Sequence, residues 1–361
     1  MPGASFGFGL MSKILFVCRL PDIEVTASTS ELSLGGIEAC NLELARALAA
    51  RGHSVALSGR PGSDEKTDSL GLVHLGFEAA VTRKFDHLVV SNIASDFDYF
   101  DVCGAAPVYW MHNPLRFEKA LRKNYVLPLV RHRPRAVFPS HDLEVRTAPY
   151  RFLSRDVIGH GIDAAFLNAA CAHHESSEPV RFVFASQPHR GLDRVLRLWC
   201  QGIAPSLPHA ELHLLGSASL SDIGDAPRVI RHGRLTKRQM IDVYQSATAM
   251  LYPGAEDETF CLAAAEAQCI GLPVITMGFG ALRERVSHGV DGFLCKDEND
   301  FVTKARLIGT DHDLARLLGV AAQTRHANRS WDFVAGLWED MLFGRAAMAH
   351  CFKRFSPTAE S

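Results

Sequence analysis

The chain has 361 residues, of which 47% are hydrophobic and 22% are charged, and its formal net charge at pH 7 is −2. This length allows two domains with a core each, and the composition is that of an ordinary globular protein. The small net charge argues against a nucleic-acid-binding protein. The sequence holds no apolar run of about 18 residues, so no transmembrane helix is predicted.

The cysteines and the N-terminus indicate the compartment. The nine cysteines form no C-x-x-C pair, and several, such as Cys18, Cys261 and Cys269, lie in apolar segments. They are therefore predicted to be core thiols of a protein in a reducing compartment, without structural zinc. The first ten residues lack the basic start and the length of a signal peptide. We expect residues 1–11 to be a disordered extension of a cytoplasmic protein.

The first half of the chain alternates apolar runs with helical patterns. The apolar runs predict buried strands, which are, in chain order, KILFVC at 13–18, SVALSG at 54–59, LVHLGF at 72–77, HLVVSN at 87–92, VYWMH at 108–112 and AVFPS at 136–140. Apolar residues at helical spacing predict a helix over 37–51 that ends at Gly52. Strands that alternate with helices predict a parallel sheet with helices on both faces.

The same alternation restarts after residue 163. The second set of predicted strands is RFVFAS at 181–186, ELHLLGS at 211–217, RVIRHG at 228–233, ATAMLYP at 247–253, PVITM at 273–277 and GFLC at 292–295. The last helices are predicted from about residue 300 to residue 352. We therefore predict an N-terminal domain at 12–165, a C-terminal domain at 166–335 and, at 336–361, a helix that returns to the N-terminal domain. Two parallel α/β domains place ligands between them, beyond the carboxyl ends of the strands.

The most informative segment is PGAEDETFCLAAAEAQCIGLPVIT at 253–276. An acidic loop ending at Glu258 leads into an alanine-rich helix, which is predicted to open near Thr259 and to stop at Gly271 and Pro273. With Thr259 as its cap, the helix leaves free N–H groups at its positive end, where a phosphate can bind. These N–H groups belong to Phe260, Cys261 and Leu262.

Glu266 lies further along the same helix, with seven residues between it and Glu258. The helical rise places it roughly 10 Å from the start of the helix. A diphosphate at the helix tip would then have its ribose near Glu266 and its other substituent near Glu258. The alternative is a surface acidic loop before a core helix, because acidic residues often precede a helix.

The E-x7-E pattern followed by GLPVIT resembles the donor-binding motif of the family-4 retaining glycosyltransferases, also called glycosyl transferases group 1. Three further segments resemble the same family in the same order: GGIEACNLELARALAARGHSVAL, HGIDAAF and RGLDRVL. The resemblance implies the GT-B fold, in which two Rossmann-like parallel-sheet domains face each other across a cleft. It also implies that Glu266 holds the ribose, that Glu258 faces the donor sugar, and that the N–H groups of 259–262 hold the phosphate and sugar.

Gly35 and Gly36 end a connection of about seventeen residues after the first strand, whereas such connections are usually about 2–6 residues long. Two glycines before a helix let the backbone approach an anion closely. The alternative is a plain turn. The spacing is not G-x-G-x-x-G, which counts against a dinucleotide-binding oxidoreductase. The resemblance implies that this loop faces the donor phosphates and the acceptor.

His112 and Arg190 are the other catalytic candidates. His112 follows a predicted strand, where an imidazole can reach a sugar hydroxyl or polarise a leaving group, although most of the 17 histidines must be structural or exposed. Arg190 follows RFVFA, and a cation there can neutralise a departing nucleoside diphosphate; the alternative is a solvated loop charge. The family usually has a second cation where Ser186 stands. Either Arg190 therefore does more of the work, or Arg194 or another residue substitutes.

His232, Gly233 and Arg234 follow a short strand, and the resemblance implies that they line the nucleotide base. Basic residues after an edge strand are otherwise usually solvated. No cofactor is implied, and a UDP-sugar donor is placed ahead of a GDP-sugar. No metal is implied either, because no D-x-D motif is flanked by apolar strands and N–H groups with Arg190 can stabilise the leaving diphosphate.

Residues 116–135 hold seven Lys or Arg against one Glu, and apolar residues interleave with them. A basic amphipathic stretch of this kind can lie on an anionic membrane surface. It can equally attract an anionic acceptor or be the solvated face of a helix. The protein would in the first case be peripheral on the inner face of the membrane.

The sequence therefore predicts a metal-independent, retaining hexosyltransferase. It would move a sugar from a nucleoside-diphosphate sugar to a saccharide or lipid-linked acceptor, in cell-envelope or exopolysaccharide synthesis. One alternative is a sugar-nucleotide epimerase or hydrolase of the same fold. The other is a non-catalytic sugar-nucleotide-binding protein, which the missing second cation makes conceivable.

Overall fold

The computed structural model describes residues 11–19, 35–60, 62, 64–102, 104–148, 150, 153–169, 179–216 and 226–344, apart from the side chain of Arg60. The predicted N-terminal extension, except for Met11, lies outside these residues. So do most of the connection that precedes Gly35 and the last part of the final predicted helix. The described residues form two parallel-sheet α/β domains, so the predicted fold class is confirmed.

The described strands of the N-terminal domain are β1 (Lys13–Val17), β2 (Ser54–Arg60), β3 (Glu65–Thr67), β4 (Val73–Gly76), β5 (His87–Ser91), β6 (Ala106–Trp110), β7 (Arg135–Phe138) and β8 (Arg155–Val157). They form one sheet in the order β3-β4-β2-β1-β5-β6-β7-β8. All pairs are parallel except β3 with β4. The apolar residues of β1 are buried, because helices cover both faces of the sheet. The short edge strands β3 and β8 were not predicted, since neither contains an apolar run.

The helices of this domain fill the connections between its strands. They are α1 (Gly36–Ala50), α2 (Phe77–Val81), α3 (Phe117–Arg122), α4 (Val126–His132) and α5 (His141–Arg146), with a 3-10 turn at Ala94–Tyr99. The predicted helix over 37–51 is confirmed with its ends shifted by one residue. Its leucines are buried against the sheet, as the helical spacing of the apolar residues requires.

The described strands of the C-terminal domain are β9 (Arg181–Ala185), β10 (Glu211–Leu215), β11 (Val229–Gly233), β12 (Ala249–Leu251), β13 (Val274–Thr276) and β14 (Gly292–Leu294). They pair in parallel in the order β11-β10-β9-β12-β13-β14. Its helices are α6 (Ala164–Leu167), α7 (Leu192–Leu198), α8 (Ala204–Ser206), α9 (Lys237–Gln245), α10 (Leu262–Cys269), α11 (Leu282–Arg285), α12 (Glu298–Thr310) and α13 (His312–His326). A 3-10 turn at Pro188–Arg190 precedes α7, and a π-helical turn at Trp199–Ile203 joins α7 to α8.

The start of α10 differs from the prediction. The helix opens at Leu262, and Cys261 precedes it in a left-handed conformation with φ of 63°. Thr259 is therefore not the cap. The reason is that the Glu258 carboxylate accepts the N–H groups of Thr259 and Cys261, which holds this stretch in a turn before the helix. The helix ends as predicted, because Gly271 takes a positive φ of 82° just beyond it.

Within the residues that the structure describes, the chain crosses between the domains at two adjacent places. Ile162 and Ser330 form an isolated parallel bridge, and the Ile162 N–H donates to the Arg329 carbonyl at 2.8 Å. After this second crossing, α14 (Trp331–Phe343) packs against α1 in the N-terminal domain. Trp338 is fully buried there, with its ring centroid 4.9 Å from that of Trp110. The helix thus completes the core of the N-terminal domain.

Candidate active site

A cavity of about 400 Å³ lies between the two domains at the carboxyl ends of their strands. Most of the predicted site residues meet there: its lining includes Gly36, His112, Ser186, Arg190, Arg234, Glu258, Thr259, Phe260, Cys261 and Leu262. Five predicted site residues are not part of the cavity lining that the described residues form: Gly35, Arg194, His232, Gly233 and Glu266. Ligands of two-domain parallel α/β proteins bind in this position.

Two helices begin at this cavity. The first turn of α1, at Gly36, and the first turn of α10, at Leu262, both line it. A Cβ atom added at Gly36 would lie 3.6 Å from Leu262 Cδ1, so the two helix starts are close neighbours. Because each N-terminus carries a partial positive charge, the pair creates a local field that favours an anion.

Glu258 is the most strongly bound side chain of the cavity, and it is only 2% exposed. One carboxylate oxygen accepts the Tyr252 hydroxyl at 2.6 Å and Arg190 Nη1 at 2.9 Å. The other accepts the N–H groups of Cys261 at 2.9 Å and Thr259 at 3.2 Å. A carboxylate has about four acceptor sites, so these four donors engage it completely.

This arrangement corrects one part of the prediction. The Cys261 N–H, predicted to be free for a phosphate, donates to Glu258 instead. The Thr259 N–H is also engaged by this carboxylate. The anion-attracting groups of this wall are therefore the first turn of α10 and Arg190, with Glu258 acting as a support that orients Arg190.

Arg190 ends the 3-10 turn that precedes α7. Burial alone would lower the pKa of its guanidinium, but the neighbouring Glu258 carboxylate and Tyr252 hydroxyl hold that pKa above its usual value. Gly191 follows with φ of 103°, and a Cβ there would lie 3.3 Å from the Gly254 carbonyl oxygen. A glycine is therefore needed directly after Arg190 for the turn to pack against the loop that carries Glu258.

Tyr252 is a site residue that the sequence reasoning missed. It follows β12 at the carboxyl edge of the sheet, is 1% exposed and donates to Glu258. Its hydroxyl also lies 3.3 Å from Ser186 Oγ, so Ser186, at the position of the absent second cation, joins the same network. The available signal was a single Tyr at the end of an apolar strand, with its polar tip placed where ligands bind.

His112 lies in the cavity wall beside a second histidine, His160. Their rings stack with centroids 5.2 Å apart and planes at 21°. Burial lowers the pKa of His112 to about 3. Burial and the neighbouring His112 lower the pKa of His160 well below its usual value, so both rings are neutral at pH 7. The backbone N–H of His112 donates to Asn92 Oδ1 at 2.8 Å, which fixes the His112 backbone just after the end of β6.

Comparisons with known proteins show what the chain is similar to. The family model described as "Glycosyl transferases group 1" matches residues 179–311. Residues 179–311, most of the C-terminal domain, are therefore similar to the glycosyl transferases group 1 family. The resemblance predicted from the sequence is confirmed for this part of the chain.

Curated relatives of the chain are D-inositol 3-phosphate glycosyltransferases. That of Xylanimonas cellulosilytica is 33% identical over 153 residues, which are 42% of this chain and 36% of that protein. That of Mycolicibacterium smegmatis is 29% identical over 177 residues, which are 45% of this chain and 36% of that protein. The chain thus aligns with about a third of the length of the relatives it matches.

Solved structures share the fold over nearly the whole chain. A sucrose-phosphate synthase from Thermosynechococcus elongatus has a TM-score of 0.70 at 17% identity and covers 94% of this chain and 100% of its own. Anabaena HepE in complex with UDP-glucose also has a TM-score of 0.70, at 16% identity and with 92% and 99% covered. The fold of the described residues is therefore GT-B, as predicted.

Glu266 lies in α10 of the C-terminal domain and is not part of the described lining of the interdomain cavity of about 400 Å³. Its neighbours are Asp163 and Lys237, which form an ion pair at a second interdomain cavity of about 740 Å³. Burial, with Asp163 adding to it and Lys237 opposing it, raises the pKa of Glu266 to about 8. Its carboxyl group is therefore largely protonated at pH 7 and can both donate and accept a hydrogen bond.

The predicted base-side residues separate into two groups. Arg234 lines the interdomain cavity of about 400 Å³ together with Leu235, Met240 and Gly216. His232 instead stacks on His213 at the outer end of the sheet, with Nε2 2.9 Å from its Nδ1. Gly233 ends β11 between these two groups with φ of 65°.

Arg194 and Gly35 have roles outside the cavity. Arg194 pairs with Glu298 at 3.6 Å and lies over the Phe279 ring, so its guanidinium is engaged outside the cavity lining. Gly35 is the N-cap of α1, and a Cβ there would come within 2.1 Å of the Glu38 carboxylate. Gly35 therefore allows Glu38 to fold back over the helix start.

Proposed function

We propose that the chain is a retaining glycosyltransferase that uses a nucleoside-diphosphate sugar and needs no metal ion. The observation that carries this proposal is the convergence of Arg190 and the N-terminal turns of α1 and α10 on one interdomain cavity. A diphosphate placed there would meet one full positive charge and two partial ones. These groups stabilise the charge that develops as the bond between the sugar and the diphosphate breaks.

The retaining course is supported by the state of the protein carboxylates. Glu258, the carboxylate in the lining that stands closest to Arg190, is engaged by four protein donors and is a poor candidate for a nucleophile. In the one-face reaction that the resemblance implies, the departing phosphate oxygen takes the proton of the acceptor hydroxyl. The acceptor oxygen then bonds to the anomeric carbon on the face that the phosphate leaves.

The neutral histidines suit the sugar end of the cavity. The unprotonated nitrogen of a neutral imidazole accepts a hydrogen bond and its N–H donates one, so each ring can bind a sugar hydroxyl without adding charge. His112 Nε2 and His160 Nδ1 are buried and have no protein partner among the described residues. We propose that the transferred hexose lies against these two rings.

The names of similar proteins support the proposed donor and acceptor classes. Anabaena HepE binds UDP and UDP-glucose, which supports placing a UDP-sugar ahead of a GDP-sugar for this chain. The curated relatives are named for a phosphorylated cyclitol acceptor, which supports an anionic acceptor here. We propose a saccharide or lipid-linked acceptor in cell-envelope or exopolysaccharide synthesis.

The basic segment 116–135 is the proposed contact with an anionic membrane surface. It forms α3 and α4 and the turns around them. The two helices expose basic side chains. Beside these they expose four apolar side chains, which are Phe117, Leu121, Leu127 and Val130. Among the helices of the described residues, none has the length and hydropathy of a membrane span. We propose that the segment binds peripherally at the inner face of the membrane.

The test of the proposed function is turnover with defined donors. Purified protein is screened by thermal shift with UDP, GDP and ADP, because a ligand at about 100 times its Kd adds roughly 2.7 kcal/mol of stability. The matching α-linked sugar nucleotides are then incubated with acceptors, with and without EDTA. Product NMR should show an α-linkage, and EDTA should leave the rate unchanged. A β-linked product would reject the retaining mechanism, and release of free sugar without acceptor would indicate a hydrolase or epimerase.

A further inference from the structure

Helix α5 of the N-terminal domain contacts the C-terminal domain at its start. Ser140, the N-cap residue of α5, donates its hydroxyl to the Thr259 carbonyl at 2.7 Å. The Glu284 carboxylate accepts the His141 N–H at 3.0 Å and also the Asp142 N–H. The first turn of α5 is thus bonded to two separate segments of the other domain.

The last residue of α5 makes the same kind of contact. Arg146 donates Nη1 to the Glu256 carbonyl at 2.6 Å and Nη2 to the Glu258 carbonyl at 2.9 Å. Asp142, one turn earlier in α5, accepts Arg146 Nε at 2.5 Å and holds the guanidinium in this orientation. We call the contacts of Ser140, Arg146 and Glu284 between the domains the cross-domain clamp.

The loop that the clamp holds is the loop that places Arg190. Glu258 is bonded through its carbonyl to Arg146 and through its carboxylate to Arg190. A charged arginine of the N-terminal domain and a charged arginine of the C-terminal domain therefore share one residue between them. Gly254, in the same loop, has φ of 90°, so the loop backbone is not held by regular secondary structure at this point.

We propose that Arg146 is a positioning residue, which makes the placement of Glu258 and Arg190 depend on contact between the two domains. When the domains are in contact, the guanidinium fixes the two carbonyls that flank Asp257, and the Glu258 carboxylate points at Arg190. When they separate, the loop loses both bonds from Arg146, so the backbone that carries the Glu258 carboxylate and its four donors is held less firmly. The cation for the leaving diphosphate would then be in place only around a closed cleft. The catalytic part of this inference rests on the proposed function.

The kinetics of Arg146 variants distinguish a positioning role of Arg146 from a purely structural one. A residue that only stabilised the fold would leave kcat unchanged in the folded fraction. A positioning residue should lower kcat while the affinity for nucleotide changes little, because the nucleotide is held mainly by the C-terminal domain. Misplacement of a reacting group by about 1 Å can cost about 100-fold in rate.

The experiment compares Arg146→Ala and Arg146→Lys with Arg155→Ala in the full-length protein. Arg155 is the matched control, because its guanidinium, like that of Arg146, donates to a backbone carbonyl. The acceptor is the carbonyl of Glu144 in α5, at 2.7 Å, so this bond lies within the N-terminal domain. Hydrogen exchange of the Thr259 and Cys261 amides is the readout that does not depend on activity, because these N–H groups are protected by the Glu258 carboxylate. Calorimetry with UDP and with GDP gives the nucleotide affinity.

Arg146→Ala should speed exchange of these amides by roughly tenfold or more, as the loss of charge-assisted hydrogen bonds implies. Its kcat should fall by about 10–100-fold with Kd for the nucleotide within about threefold. Arg146→Lys keeps the charge but cannot hold two carbonyls in a planar fork, and should fall between wild type and Arg146→Ala. Arg155→Ala should resemble wild type.

Unchanged amide exchange in Arg146→Ala would overturn the proposal, and so would an equal change in Arg155→Ala. If the loop exchanges faster but kcat stays within about twofold of wild type, the clamp does not position Arg190 and the proposal is also rejected. If wild-type protein transfers no sugar, the proposed function fails, whereas the exchange data still decide whether Arg146 orders the Glu258 loop.

Discussion

Arg190 and Glu258 form an ion pair in the wall of the interdomain cavity, with 2.9 Å between Nη1 and Oε2. In the proposed function, the guanidinium would separate the Glu258 carboxylate from the diphosphate, two groups of like charge. The ion pair also leaves the other N–H groups of Arg190 available in a fixed plane. The first prediction concerns this pair.

Arg190→Ala should damage turnover more than donor binding. The arginine charge matters most when the diphosphate departs, and losing one such electrostatic group typically lowers kcat by about 10²–10³. Steady-state kinetics, with calorimetry for the nucleotide, measure both effects. Arg194→Ala is the matched control, because Arg194 is bonded to Glu298 instead and should stay within about twofold of wild type. If the two results were reversed, Arg194 would be the cation at the diphosphate.

Nucleotide binding should release a proton from Glu266 at pH 7. The pKa of its carboxyl is raised from 4.5 to about 8 in the folded protein, so the group is protonated there while an unfolded chain has lost the proton. Its contribution to stability is therefore present below pH 4.5 and is lost as the pH rises through 8. Ribose hydroxyls that donate to Glu266 favour the ionised form and lower the pKa again.

Calorimetry with the cognate nucleotide in two buffers of different ionisation enthalpy measures this proton release. Glu266→Gln should abolish the buffer dependence, and Glu266→Ala should weaken the nucleotide by about tenfold or more, as expected for lost charged hydrogen bonds. An unchanged affinity in both variants would place the ribose elsewhere, in agreement with the position of Glu266 outside the described cavity lining.

His112 should make the protein sensitive to mild acid. Its pKa is lowered from 6.5 to about 3 by burial, so below pH 6.5 the unfolded chain binds a proton that the folded chain refuses. Stability from this group is present above pH 6.5 and is lost as the pH falls toward 3, by roughly 1.4 kcal/mol per pH unit.

Urea unfolding at pH 7.5 and pH 5 tests this effect. The free energy of unfolding of wild type should fall between the two pH values by about 2 kcal/mol more than that of His112→Gln. An equal fall in wild type and His112→Gln would show that the ring is protonated in the folded protein.

The basic segment 116–135 should hold the protein on anionic vesicles at low salt. Each Lys or Arg near such a surface contributes about 1 kcal/mol, and salt screens the attraction. Replacing the exposed Arg116, Arg122 and Lys123 by Gln should abolish pelleting with vesicles that contain phosphatidylserine, and should spare nucleotide binding. A variant with the same charge change in the C-terminal domain, made at Arg238, Arg306 and Arg316, should still pellet. If wild type ignores these vesicles at low salt, the segment is a solvated face or an acceptor groove.

The order of strands and helices was largely readable from the sequence. Buried strands such as β1 and β9 are continuous apolar runs, and α1 carries its apolar residues at helical spacing. The start of α10 was placed wrongly at Thr259, because residue preference favours a threonine cap whereas the Glu258 carboxylate competes for the same N–H groups.

The sequence predicted many of the residues that line the cavity, but it did not predict the contacts between their side chains. Strand ends and glycine turns indicated Gly36, His112 and Arg190, since parallel strands bring their carboxyl ends to one edge. Tyr252 and His160 were missed, because their importance comes from neighbours that are distant in the chain. No local pattern shows that Tyr252 reaches Glu258, or that the rings of His160 and His112 stack.

The paired crossings at Ile162 and Ser330 limit how the two domains can move. Both covalent links between the domains run side by side and are bonded to each other. A rotation about an axis through this point changes only a few backbone torsions, whereas a rotation about a distant axis would stretch one of the links. We therefore expect the cleft to open by rotation about one hinge at these two crossings. Helix α14 should move together with the N-terminal domain, against which it packs.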